Sequence, residues 1–91
     1  MHDYIPVINY INKLTYAEFK NINKYYELEI EETQLEVVYR IIKNNIYALI
    51  NSNYHRILYN YIQQKTSTST CLKAEKLISE YHFYFKPVLN V

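Results

Sequence analysis

Not one of the 91 residues of this chain is glycine, and that absence restricts how its backbone can turn. Glycine is the residue that enters left-handed conformations without a Cβ penalty. Tight left-handed turns and phosphate-cradling loops are therefore expected to be unavailable. The corners should instead be marked by helix caps and polar connectors.

Helical periodicity recurs along the chain, with start signals between the segments. Asp3 is placed to cap a first helix that tolerates Pro6 in its first turn. Ile5, Ile8 and Ile11 share one face of it, up to about Lys13. Thr15 with Glu18 three residues later has the pattern of a capping box, and Leu14 before it that of a hydrophobic staple. A second helix over about 16–26 then turns Phe19, Ile22 and Tyr26 inward.

The stretch "YYELEIEETQLEVV", residues 25–38, breaks the rhythm. From Glu27 to Glu31 the period becomes two, with Glu27, Glu29 and Glu31 on one side and Leu28 and Ile30 on the other. This predicts a short extended connector whose apolar side plugs the core. Thr33 and Glu36 read as a second capping box that opens a helix through about Asn44. Leu35, Val38, Ile42 and, less regularly, Ile41 form its apolar face. Glu31, Glu32 and Glu36 lie where the positive end of a helix dipole favours acids. The acidic cluster is thus mainly a corner. A calcium loop would need aspartates and a central glycine, which are missing here.

"NNIYALINSN" predicts a second extended plug, with Ile46 and either Leu49 or Ile50 inward. A fourth helix from about Asn53 carries Tyr54, Ile57 or Leu58, Tyr61 and Ile62. "KTSTST" reads as the clearest loop. A last helix from about Ser69 carries Cys71, Ala74, Ile78, Tyr81 and Phe85, and ends before Pro87. The fold class that follows is all-α: one domain over 1–91, a compact bundle of four to five short helices with short extended connectors and an aromatic tail at 83–91.

Several of these segments together, "INKLTYAEFK", "YYELEIEETQLEVVYRIIK", "NNIY" and "KTSTST", resemble the YqfT-like short proteins of bacilli over roughly residues 9–82. The shared features are the Leu-Thr-x-x-Glu start, the Leu-x-Ile before a glutamine-containing capped helix, and the Thr-Ser loop. The chain departs from that pattern in its tyrosines and its aromatic C-terminal tail. The resemblance implies a small helical fold in a Gram-positive cytoplasm. It carries over no catalytic residue, because the family resembled has no established function.

The expected setting is intracellular and soluble. No apolar run reaches the ~18–20 residues that span a bilayer, and the start, "MHDYIPVINYINKL", lacks the regions of a signal peptide. Cys71 is the sole cysteine, so neither an intrachain disulfide nor a cysteine-cluster zinc site is expected. It falls in the apolar series with Ala74 and Ile78, as a buried, inert thiol would. His82 is eleven residues further on, ~16 Å along a helix, and His55 is on another helix. No P-loop, His-Glu-x-x-His or Gly-x-Ser-x-Gly pattern occurs. The expectation is a protein that is not an enzyme and holds no cofactor, metal or small-molecule substrate.

Charge divides the chain. Residues 1–36 carry Lys13, Lys20 and Lys24 against Asp3, Glu18, Glu27, Glu29, Glu31, Glu32 and Glu36. Residues 37–91 carry Arg40, Arg56 and five lysines against only Glu75 and Glu80. Arg40 with Lys43, and Lys73 with Lys76, are i, i+3 pairs. With Arg56, and joined by His55 and Lys65, they define a basic surface for weak, sequence-tolerant nucleic-acid binding, with Tyr54 and Tyr59 as stacking faces. Two arginines are few for such a role, and a solvated helix face explains the same pairs. Twelve tyrosines suit a binding surface, and they suit an A/T-rich genome equally.

The C-terminal "EYHFYFKPVLNV" offers a second surface. Tyr81, Phe83, Tyr84, Phe85, Val88 and Leu89 are more apolar residues than one helix buries against one core. Either the tail folds back after Pro87, or these residues meet a protein partner or a second copy. The reading of the whole is a non-enzymatic protein–protein interaction module, homodimeric through that aromatic surface. Nucleic-acid binding through the basic residues of 40–86 is the alternative.

Overall fold

The computed structural model describes residues 5–81, and the side chains of 6–79 within them. Six α-helices occur in this span: α1 (Ile5–Lys13), α2 (Tyr16–Tyr25), α3 (Glu32–Asn44), α4 (Ile46–Ile50), α5 (His55–Lys65) and α6 (Thr68–Lys76). A 3₁₀ turn, Ser52–Tyr54, leads into α5, and a π-helical turn, Leu77–Tyr81, follows α6. No strand occurs among the described residues. The all-α class holds, with six α-helices among the described residues where four to five were expected.

Helix α3 is the hub. It packs against α1, α2, α4 and α5, while α6 packs on α5. Its apolar face is the one read from the sequence: Leu35, Val38, Ile41 and Ile42 are all buried. In α1 the buried face is instead Val7 and Ile11, continued by Leu14, with Ile8 half-buried. The i, i+4, i+7 row won over the i, i+3 row because Leu14, beyond the helix, extends it into the core. Asp3 lies outside the described residues.

The Thr15–Glu18 capping box forms as expected. The Glu18 amide donates to the Thr15 hydroxyl oxygen at 3.1 Å, and the Thr15 amide donates to the Glu18 carboxylate at 2.9 Å. Leu14 and Phe19, the N′ and N4 positions of a staple, are both buried. Phe19 and Ile22 face the core, and Tyr26 is a half-buried C-cap.

The connector after α2 keeps the expected alternation but not the expected backbone. Leu28 and Ile30 are 6% and 5% exposed, whereas Glu27, Glu29 and Glu31 are exposed. Glu27 and Glu29 take φ of 54° and 59°, so left-handed turns occur here without glycine. Two amides explain the first of them. Glu27 donates to the Lys24 carbonyl at 3.1 Å and Leu28 to the Asn23 carbonyl at 3.0 Å, the paired bonds of a Schellman motif. A position that usually takes glycine is filled by glutamate, at a cost of about 1–2 kcal/mol. The Asn23 side chain then clamps Ile30 from both sides. Its Nδ2 donates to the Ile30 carbonyl and its Oδ1 accepts from the Ile30 amide, each at 3.2 Å. The buried Leu28 and Ile30, with this clamp, hold the backbone where the glutamates alone would not.

The second capping box does not form. Helix α3 starts earlier, with Glu31 as N-cap, and the Thr33 hydroxyl donates to the Glu31 carboxylate at 3.3 Å. Glu36 is drawn to Arg40, one turn on, at 2.7 Å. The expected second plug is helical as α4: Leu49 is buried, and Ile46 and Ile50 are half-buried. Five residues of helix aim Leu49 inward as an extended strand would, and the Leu49 amide donates to the Asn45 carbonyl at 3.1 Å. The Thr-Ser loop is shorter than expected because Ser67 already caps α6, accepting from the Thr70 amide at 3.1 Å. Cys71, Ala74 and Ile78 are buried as read, and Leu77 joins them. The expected continuation of this helix past Tyr81 lies outside the described residues.

Candidate interaction surface

The residues proposed from sequence for nucleic acid do not form one continuous free ridge. The Lys43 Nζ donates to the carbonyls of Ile11, Asn12 and Leu14 at 3.1, 2.7 and 3.1 Å. A cation on α3 therefore closes the C-terminal end of α1, where the helix dipole is negative. The Tyr39 hydroxyl adds a donor to the Leu14 carbonyl at 2.6 Å. Arg40, the other member of that pair, is bonded to Glu36. Lys73 donates to the Glu29 carbonyl at 3.0 Å and so ties α6 to the connector. Lys76 is exposed at the end of α6, and Arg56 is exposed at the start of α5.

Tyr59, read as a stacking face, is half-buried against the core. His55 lies beside it, with Nε2 at 2.6 Å from the Leu49 carbonyl and Nδ1 at 3.3 Å from the Tyr59 hydroxyl. In the neutral tautomer protonated at Nε2, the ring donates to Leu49 and accepts from Tyr59. The histidine thereby fastens α5 to α4. Cys71 is buried and donates to the Tyr59 carbonyl at 3.2 Å. Burial, with Glu75 nearby, pushes its thiol up, away from the reactive thiolate. Gln34, Ser67 and Thr70 share a hydrogen-bonded cluster that joins α3 to the start of α6.

Helix α5 holds the residues that the sequence reading placed wrongly. Leu58 and Ile62 are its core contacts. Tyr54, Ile57 and Tyr61, expected inward or offered as alternatives, are 50%, 66% and 43% exposed. Their i, i+3, i+7 spacing sets them along one outward stripe, roughly 10 Å long. One helix can turn only one face to the core, and α5 with its 3₁₀ lead carries apolar residues for two. That surplus was the available signal. Tyr47 on α4 is exposed to 76%, the highest value of any large apolar residue described.

On another flank of α5, an open groove of about 370 Å³ runs between α5 and α6, lined by Arg56, Tyr59, Asn60, Gln63, Thr68, Cys71, Leu72 and Glu75. Among the described residues, no cluster of three or more histidine, cysteine or acidic side chains could hold a metal ion. No described helix is long and apolar enough to cross a membrane. The backbone of Tyr81 lies in the π turn, but its side chain and the whole of Phe83, Tyr84, Phe85, Val88 and Leu89 lie outside what is described.

No family model matches the chain, and neither a curated protein nor a solved structure is similar to it.

Proposed function

We propose that this chain is a non-enzymatic protein–protein interaction module. The observation that carries the reading is the outward stripe of Tyr54, Ile57 and Tyr61 on a helix whose inward face is already filled. Desolvating such residues against a partner is favourable at about 25 cal/mol per Å² of apolar area. The C-terminal set Tyr81, Phe83, Tyr84, Phe85, Val88 and Leu89 extends the proposal as a homodimer surface. The proposed setting is the cytoplasm of a Gram-positive bacterium, on the resemblance to the YqfT-like proteins alone.

A second reading has its own support. No acid occurs between Glu36 and Glu75, and exposed tyrosines within that stretch suit the stacking of single-stranded bases. Capture from host lysate, split into nuclease-treated and untreated halves, separates the two. A defined protein retained in both halves is the expected result. Recovery from the untreated half alone, weakening steeply with salt, would favour nucleic acid instead.

A further inference from the structure

We draw no further inference here: the strongest candidate, the open groove between α5 and α6 with Arg56 and Glu75 among its lining residues, is a furrow in the surface, and nothing in the structure shows what covers it.

Discussion

The connector after α2 and the outward face of α5 both set apolar residues among polar ones, and they end in opposite states. Leu28 and Ile30 are sealed in the core, at 6% and 5% exposure, while Ile57 stands at 66%. In the connector, every feature serves the fold. A Schellman pair of amides fixes the exit from α2, Asn23 clamps Ile30, and Lys73 holds the Glu29 carbonyl. On α5, the stripe has no such supports, because Leu58 and Ile62 already supply that helix's packing. The difference shows that apolar content alone does not assign a residue to the core. Burial follows the backbone that aims it.

The largest expected effect separates the two regions directly. Leu28→Ala should lower stability by about 2–5 kcal/mol through lost burial and a cavity. Ile57→Ala should stay within about 0.5 kcal/mol, as exposed positions do. Urea unfolding of both variants reads this, and equal losses would erase the contrast.

Next in size is the clamp. Asn23→Ala removes both bonds to Ile30, and the expected loss is about 1–3 kcal/mol. Hydrogen exchange should quicken at the Ile30 amide before it does in α5. A uniform response across the chain would mean that the clamp is incidental.

Replacing a strained residue sharpens the comparison in the stabilising direction. Glu27→Gly relieves the left-handed Cβ penalty, and a gain of about 1 kcal/mol is expected. A loss in thermal unfolding would show that the Glu27 side chain, and not the Schellman geometry, secures the corner.

The smallest effect is titration in the connector's half of the molecule. Burial, followed by the nearby Glu18 and Tyr26, pushes the Tyr10 phenol up from 10.0 to about 12. The folded chain then holds that proton more tightly than the unfolded chain does. The contribution is fully present below the ordinary phenol value and is lost as pH rises through the raised one. Tyr10→Phe should reduce the alkaline loss of stability without abolishing it, since Tyr16 is shifted in the same direction. An unchanged alkaline profile would place Tyr10 in water.

Much of the acidic first part of the chain was legible in the sequence because it used strong local signals. Thr15–Glu18 formed its box, and the period-two run put Leu28 and Ile30 inward, as alternation requires. What stayed hidden was the connector's conformation, since a left-handed glutamate depends on amides and a clamp that no propensity scale records. The Thr33–Glu36 spacing misled because Glu36 had a competing partner four residues on, in Arg40. On α5, the choice between Ile57 and Leu58 was ambiguous because adjacent positions were both apolar. It was resolved by long-range packing, with α3, α4 and α6 all meeting that helix. Lys43 shows the same limit, since its carbonyl partners are 29–32 residues away. A basic ridge read from spacing contained a lysine that caps another helix.

The most direct measurement takes the double variant Ile57→Asp, Tyr61→Ser through urea unfolding and capture from host lysate side by side. An unchanged unfolding midpoint with lost binding is the predicted result, and it marks the α5 face as dispensable for folding and required for recognition. A lowered midpoint, or binding that survives, would contradict the account.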